Sequence, residues 1–191
     1  TVNTQSRSIN HGSRQPAGIF LMPGAAFGDC RHPTTRLAVR GIDFVVSGRG
    51  NRAQKETAID IGTGSGILAI AAAHLGVMRV MATDIDPCAR KEARDNIQRN
   101  GMASRIRVSN IPLAHFCQPF SFIFANLRLP TLKQQASLIT EKLLPGGAVV
   151  LSGVKTEEAE RLLAMFGGQQ ACVWQADEGG WSGFVFIKEK R

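Results

Sequence analysis

The residues best suited to ligand binding lie in one short stretch, where Gly62, Gly64 and Gly66 follow an apolar run. Glycine lets the backbone turn sharply and approach a ligand with no Cβ in the way. In open α/β sheets such a loop lies at the carboxyl ends of the strands, where ligands bind. The G-x-G-x-G spacing departs from the dinucleotide pattern G-x-G-x-x-G, and no G-K-[ST] sequence follows it. The loop therefore favours a ligand that needs no pyrophosphate.

Two carboxylates accompany this loop. Asp84 ends the next apolar run, roughly 20 residues beyond the glycines, where a carboxylate accepts hydrogen bonds from ribose hydroxyls. Asp60 lies immediately upstream of the loop. S-adenosyl-L-methionine carries a ribose without a pyrophosphate, and its positively charged amino and sulfonium groups suit Asp60 better than a phosphate would. We therefore expect S-adenosyl-L-methionine as the cofactor, with no metal.

The elements that must position these residues alternate between short β-branched or aliphatic runs and longer stretches of helical period. This pattern is typical of an α/β fold with a parallel sheet and helices on both faces. The last two strands are joined by only residues 176–183 or so, too few for a crossover helix, and should pair antiparallel. Strands are predicted at Thr57–Ile61, Val80–Asp84, Ile106–Ser109, Phe122–Asn126, Ala148–Gly153, Ala171–Gln175 and Phe184–Lys188.

Four helices are predicted between and after these strands. The first spans Ile67–Leu75, and the second begins at Asp86-Pro87 and stops at Asn100-Gly101. The third carries an apolar stripe from Leu132 to Leu143 and is ended by Pro145-Gly146-Gly147, and the fourth runs from a Thr156 cap to Gly167-Gly168.

Residues 1–56 follow a different pattern and precede a single core of residues 57–191. Residues 1–15 are polar and expected to be mobile, and residues 16–56 are interpreted as a lid or entry element. Within it, Ile19–Met22 is predicted to form a short strand, and a helix is predicted from His32-Pro33 to about Ser47. A polar linker, Gly48–Gln54, follows.

Composition narrows the class of protein. With 191 residues and 43% hydrophobic residues, the chain is expected to form one globular domain. No run approaches a membrane span and no signal sequence begins the chain, so a soluble, cytoplasmic protein is expected. The net charge is +8, which permits nucleic acid as a partner without requiring it. The four cysteines lack metal-ligand spacing and are expected to be reduced thiols in or near the core.

The motifs together give a resemblance. The chain resembles the class I S-adenosylmethionine-dependent methyltransferases, and among them the PrmA family, bacterial methyltransferases of large-subunit ribosomal protein eleven. The resemblance covers about residues 23–188. It is carried by Pro23-Gly24-Ala25-Ala26-Phe27-Gly28, His32-Pro33-Thr34-Thr35, Ile61 to Ile70, Asp84-Ile85-Asp86-Pro87, Ala125-Asn126-Leu127, Leu144-Pro145-Gly146-Gly147 and Leu151-Ser152-Gly153.

The resemblance implies a Rossmann-like seven-stranded sheet of order 3-2-1-4-5-7-6 with an antiparallel last strand, in agreement with the terminal hairpin. It also implies cofactor contacts from Thr35, Gly62, Asp84 and Asn126. We extend the expected cofactor site to its neighbours in these motifs and to the end of the third strand, and we expect a lip that meets the substrate. The added cofactor residues are Asp60, Thr63, Gly64, Gly66, Ile85 and Asn110, and the lip residues are Phe27, His32 and Leu127.

The expected reaction is transfer of a methyl group to an amine of a protein, with Asn126 as the catalytic residue. Its side-chain carbonyl would accept a hydrogen bond from the amine and orient the lone pair, or else cap the following turn. His32 could act as a base but is favoured as a structural hydrogen-bonding residue at a helix entrance. No dedicated base is required, since a dry pocket favours the neutral amine.

Three departures from the family pattern leave the acceptor open. The family has G-T-G-T-H where this chain has residues 28–32 as Gly-Asp-Cys-Arg-His, and N-I-L-A where it has Asn126-Leu127-Arg128-Leu129. The family also has an N-terminal domain that docks its ribosomal substrate, and residues 1–15 are too short to form one. A small molecule or RNA acceptor is therefore an alternative, as is a non-catalytic subunit that binds S-adenosylmethionine.

Overall fold

The structure is a computed structural model that describes residues 18–22, 24, 27–28, 31–48, 56–168 and 170–190. The expectations for residues 1–15 and for most of the 48–54 linker lie outside this part. Within these described residues, seven strands and five α-helices follow one another. They are α1 (Pro33–Ser47), β1 (Thr57–Ile61), α2 (Ile67–His74), β2 (Arg79–Thr83), α3 (Pro87–Arg99), β3 (Ile106–Ser109), β4 (Phe120–Asn126), α4 (Leu129–Lys142), β5 (Leu143–Lys155), α5 (Ala159–Phe166), β6 (Gln170–Glu178) and β7 (Trp181–Lys188).

All seven strands form one sheet of order β3-β2-β1-β4-β5-β7-β6. The first five are parallel, and β7 is antiparallel to both β5 and β6. The predicted strand order and the terminal antiparallel hairpin are confirmed. In this order the chain reverses direction across the sheet between β1 and β4, which is where open α/β sheets form a crevice for ligands.

Each face of the sheet is covered by helices, as the almost wholly apolar central strands require. In β4 every residue from Phe120 to Ala125 is buried. Helices α1, α2 and α3 pack on one face and α4 and α5 on the other. Seven of the eight residues of α2 are buried, so its short alanine-rich sequence fits tightly against the sheet.

Helix α1 belongs to the core. Leu37, Ala38, Ile42 and Val46 on its inner face are at most 1% exposed, and the helix packs against β5, β7 and α2. Close approach to the sheet is possible because a Cβ at Gly41 would lie 2.7 Å from Val150. The helical part of the segment interpreted as a lid or entry element is thus a fixed wall of the fold.

The structure corrects several predicted boundaries. Residues 19–22 form no strand, because the backbone of Phe20 and Met22 bonds to asparagine side chains at the C-cap of α3 and within it. Helix α4 ends at Lys142, and Leu143 and the following Pro-Gly-Gly belong to β5. Thr156 begins a 3-10 turn and α5 begins only at Ala159.

The terminal hairpin is longer than predicted. Strands β6 and β7 are joined by two residues alone, Gly179 and Gly180, at φ +57° and +80°. Two successive positive φ angles produce a tight turn that matches the twist of the strands, so pairing continues to the turn. Strand β2 ends at Thr83, one residue before the predicted end at Asp84.

Cys88, Cys117 and Cys172 are free cysteines, as predicted, but they are exposed, so their predicted place in or near the core is wrong. Cys88 lies on the outer side of α3, whose inner face is formed by Ala89, Ala93 and Ile97. Cys30 lies outside the described residues. Among the described residues no helix is long and apolar enough to cross a membrane, and no cluster of three or more metal-ligating side chains is found.

Candidate active site

A cavity of about 900 Å³ opens at the carboxyl ends of β1, β2 and β4. The glycine loop, the residues after β2, the turn after β3 and the end of β4 form its walls. From the other side, Phe27 and the start of α1 border it. The expected site residues that line it are Phe27, His32, Gly62, Gly64, Asp84, Ile85, Asn110, Asn126 and Leu127.

The glycine loop brings the backbone close to its neighbours. Gly62, Gly64 and Gly66 have φ angles of +68°, +53° and +86°, which favour glycine. A Cβ at Gly64 would overlap the carbonyl oxygen of Phe27, and one at Gly62 would lie 2.8 Å from Leu127. Each glycine therefore leaves room for a segment that borders the cavity.

The amides of the loop are already hydrogen-bonded within the protein. Gly62 and Thr63 donate to the carbonyl of Thr83 at 2.8 and 2.9 Å. The amide of Ser65 donates to Phe27 at 3.0 Å, and that of Gly66 donates back to Thr63 at 2.9 Å. Because a phosphate site at a helix N-terminus depends on free amides, this loop is not built to hold an anion.

Asp84 is held with its carboxylate in a fixed orientation. Oδ2 accepts from the Gly64 amide at 3.0 Å, and Oδ1 accepts from the Asp86 amide at 3.0 Å. Arg90 donates to the carbonyls of Asp84 and Ile85 at 2.9 and 2.8 Å and so fixes the backbone after β2. The half-buried carboxylate retains lone pairs for hydroxyl donors from a ligand.

Asp60 lies behind this wall. It is fully buried, and its Oδ2 accepts both from the Thr63 hydroxyl at 2.6 Å and from the Ala69 amide at 3.2 Å. No described residue donates to Oδ1. Burial raises the pKa of Asp60 to about 7; the two hydrogen bonds lower it, and the nearby Asp84 raises it further. Asp60 therefore titrates near neutrality.

Asn126 ends β4 at the cavity and is tied to the start of α1. Its Nδ2 donates to the hydroxyl of Thr34 at 3.2 Å, and no described residue donates to its Oδ1. His32 is the N-cap of α1 and accepts from the Thr34 amide, as its structural interpretation expects. A buried carbonyl oxygen without a donor costs about 1–3 kcal/mol, so a donor supplied by a bound molecule would stabilise Asn126.

Four of the expected cofactor residues support the cavity without lining it. Thr35, Asp60, Thr63 and Gly66 lie directly beside residues that do line it. Thr35 has a buried hydroxyl with no described partner, as Asp60 has an unpartnered oxygen. At Gly66 a Cβ would lie 3.3 Å from Ala93, so this glycine serves close packing of the loop on α3.

Sequence reasoning missed several lining residues. Trp181 lines the cavity and contacts the His32 ring edge-on at 5.1 Å between ring centroids. Its position follows from the two-glycine turn, which places the start of β7 beside the start of α1. Arg128 and Gln135 of the segment after β4 also line the cavity. The only signal in the sequence for this part of the cavity was the departure from the family pattern just after Asn126.

Comparison with known proteins shows which family this chain resembles. The family model described as ribosomal protein L11 methyltransferase (PrmA) matches residues 4–189. The ribosomal protein L11 methyltransferase of Rhizobium rhizogenes is 39% identical over 155 residues, which are 78% of this chain and 52% of that protein. That of Thiobacillus denitrificans is 38% identical over 170 residues, or 89% of this chain and 54% of that protein. The chain spans about half the length of these relatives.

Solved structures agree with the fold. A crystal structure of a ribosomal protein L11 methylase from Lactobacillus delbrueckii subsp. bulgaricus superposes with a TM-score of 0.79 at 30% identity, covering 93% of this chain and 91% of that one. An RNA methyltransferase from Salinibacter ruber, solved in complex with S-adenosyl-L-homocysteine, gives a TM-score of 0.63 at 21% identity over 84% of this chain and 95% of that one. The second similarity concerns the fold alone.

Proposed function

Since the chain belongs to the ribosomal protein L11 methyltransferase (PrmA) family, we propose that it is an S-adenosyl-L-methionine-dependent N-methyltransferase acting on amino groups of a protein in the cytoplasm. The names of the relatives make a ribosomal protein the first acceptor to test. The observation that carries the proposal is that one cavity contains both the Asp84 carboxylate and Asn126, whose carbonyl oxygen has no described donor.

The residues present suit this cofactor. S-adenosyl-L-methionine, when bound, supplies a methyl group activated by a positively charged sulfonium. Asp84, fixed by the amides of Gly64 and Asp86, would accept hydrogen bonds from the ribose hydroxyls. Ile85, 92% exposed beside it, and Asn110 would border the adenine. Asn126 lines the cavity with a buried oxygen that has no described donor, and Asp84 in the same cavity carries a carboxylate, which suits a ligand rich in donors and positive charge.

The protein's own contribution to catalysis is positioning and desolvation. Holding two reactants in contact can contribute roughly 7–11 kcal/mol to the rate. An amine acceptor must first lose its proton to solvent, and the apolar lining from Phe27, Leu127, Leu138 and Trp181 disfavours the charged ammonium. Asn126 would then accept from the neutral amine through Oδ1 and direct the nitrogen lone pair. His32 Nδ1 is engaged in capping α1, so this nitrogen is not free to act as a base.

Isothermal titration with S-adenosyl-L-methionine tests the proposal. Hydrogen bonds to a charged group contribute roughly 1.5–3 kcal/mol each, so Asp84→Ala is expected to weaken binding about 100-fold. Asp84→Asn retains a carbonyl oxygen that can accept from the Gly64 amide. Comparison of the two variants therefore separates the support that Asp84 gives the loop from its contact with the ligand. Asp95→Ala removes an exposed carboxylate of α3 that pairs with Lys91, and affinity should stay within about threefold. Absence of binding by the unaltered chain would refute the proposal.

The acceptor class is tested with S-adenosyl-L-methionine that carries a tritiated methyl group. Transfer to unmodified recombinant ribosomal protein L11 is expected, with the label in the protein after nuclease treatment and lost after protease treatment. Label that survives protease and is released by nuclease would place the acceptor in RNA. Binding without transfer to protein, RNA or small molecules in cell extract would favour a non-catalytic subunit.

A further inference from the structure

The start of helix α1 and the end of strand β4 are joined by a short chain of side-chain hydrogen bonds. His32 Nδ1 lies 2.8 Å from the Thr34 hydroxyl oxygen and 3.3 Å from the Thr34 amide nitrogen. The same hydroxyl oxygen lies 3.2 Å from Nδ2 of Asn126. All three residues line the cavity. This series of hydrogen bonds therefore connects the cap of α1 directly to Asn126, the side chain expected to meet the acceptor.

The capping bond of His32 determines where the hydrogens lie on its ring, on the Thr34 hydroxyl and on the Asn126 amide. The Thr34 amide at the start of a helix needs an acceptor, and Nδ1 of His32 supplies it, so Nδ1 carries no hydrogen and Nε2 does. The Thr34 hydroxyl must then donate to Nδ1, which leaves its lone pairs to accept from Asn126. The amide of Asn126 consequently presents NH2 to Thr34 and keeps its carbonyl oxygen for another donor. This orientation follows from the network of donors and acceptors.

Each member of this chain is held by contacts of its own. The His32 ring is bordered edge-on by Phe27 and Trp181, with centroid distances of 5.2 and 5.1 Å. Thr34 is 1% exposed, and its carbonyl accepts from the Ser152 hydroxyl at 2.8 Å. The space next to Asn126 Oδ1 is preserved by Gly153, where a Cβ would lie 2.9 Å from that oxygen.

We propose that Thr34 and His32 are positioning residues that set the amide of Asn126 with its carbonyl oxygen toward the methyl acceptor. The inference rests on the proposed function, in which Asn126 accepts from an amine. If the amide were reversed, its NH2 would face the acceptor and compete for the nitrogen lone pair that must attack the methyl group. The hydroxyl of Thr34 prevents this reversal because it is already committed as a donor to His32.

The kinetic test compares Thr34→Val with Thr34→Ser. Valine keeps the shape but removes the hydroxyl, so kcat for methylation of recombinant ribosomal protein L11 is expected to fall roughly 10- to 100-fold, since small misplacements have effects of this size. The KM for S-adenosyl-L-methionine should change less than about threefold. Serine restores the hydroxyl and is expected to restore kcat. Thr140→Val is the matched control, since Thr140 makes comparable bonds to Ala136 and Gln170 on the opposite face, and kcat should be unchanged.

A second measurement needs neither cofactor nor acceptor. Nitrogen-15 NMR of the ring of His32 in the unaltered protein at pH 8 should show hydrogen on Nε2 and a hydrogen-bonded, unprotonated Nδ1. Hydrogen on Nδ1 would overturn the inference, as would a Thr34→Val kcat within threefold of the unaltered protein. If the unaltered protein transfers no methyl group, the proposed function fails while the ring measurement still decides the hydrogen-bond assignment.

Discussion

Replacing the buried Asp60 by asparagine should change how stability depends on pH. Both protein hydrogen bonds to this side chain end on Oδ2, from the Thr63 hydroxyl and the Ala69 amide. The single carbonyl oxygen of asparagine can accept both, and its NH2 would occupy the place of Oδ1. The substitution therefore keeps the shape and the bonds and removes only the titration.

The size and sign of the effect follow from the shifted pKa. Burial raises the pKa of Asp60 from 3.8 to about 7, so between these values the folded state binds a proton that the unfolded state has lost. Stability is highest below the unfolded pKa and is lost as pH rises through about 7. Each pKa unit corresponds to 1.36 kcal/mol, and the group is half ionised in the folded state near pH 7, so from pH 5 to pH 7 it should lower the free energy of unfolding by about 2 kcal/mol.

Urea unfolding of both proteins at intervals from pH 5 to pH 8.5 measures this difference. Relative to the difference between the two proteins at pH 5, Asp60→Asn should gain about 2 kcal/mol over the unaltered protein by pH 7, levelling off above pH 8. Asp43→Asn, an exposed carboxylate of α1, is the control with no such gain. Asp84→Asn in a protein that keeps Asp60 should shift the pH at which stability is lost to a lower value, since Asp84 raises the pKa of Asp60. Parallel stability curves for Asp60→Asn and the unaltered protein would refute the reasoning.

Two further predictions concern the scaffold of the site. Gly64→Ala forces a Cβ into the Phe27 carbonyl and should destabilise the protein by about 2 kcal/mol more than Gly76→Ala, which has a positive φ but open space around it; urea unfolding compares the two, and equal losses would contradict this. Asn96→Leu removes bonds to the Ser65 carbonyl and the Met22 amide, both 2.9 Å, and should weaken S-adenosyl-L-methionine binding several-fold by titration. Asn100→Leu releases the Phe20 backbone and a bond to the Asn96 carbonyl, leaves the Asn96 side chain in place, and should leave that affinity unchanged.

Local patterns were sufficient to predict the fold because each strand and helix carries its own signal. The apolar runs before Gly62 and Asp84, the Asp86-Pro87 cap and the short last connection specified a parallel sheet ended by an antiparallel hairpin. The predicted boundaries of elements were wrong where pairing of the backbone between strands overrode the local preference of the sequence. Pro145 and its two glycines read as a helix stop, yet β5 already begins at Leu143 because its backbone pairs with Phe120.

The site residues at strand ends could be predicted from the sequence, but contacts between residues distant in sequence could not. The glycine loop, Asp84 and Asn126 lie at strand ends, which the pattern identifies directly, and all three border the cavity. Trp181 arrives there only because a two-residue turn returns β7 to the first turn of α1. The bond from Asn126 to Thr34 joins residues 92 positions apart, and no periodicity in the sequence encodes it.

The unsatisfied groups indicate what kind of molecule the site accepts. The loop amides that could bind an anion are all used internally, by Thr83, Phe27, Thr63 and Asp84. Of the buried oxygens without a described donor at this end of the sheet, that of Asn126 lines the cavity, whereas those of Thr35 and Asp60 lie behind its wall. A buried acceptor is stabilised by a donor or a cation, and the pKa of Asp60 near 7 would fall if positive charge were placed beside it. Binding of S-adenosyl-L-methionine, with its sulfonium and ammonium groups, should therefore release a proton near neutral pH, and Asp60→Asn should abolish that release.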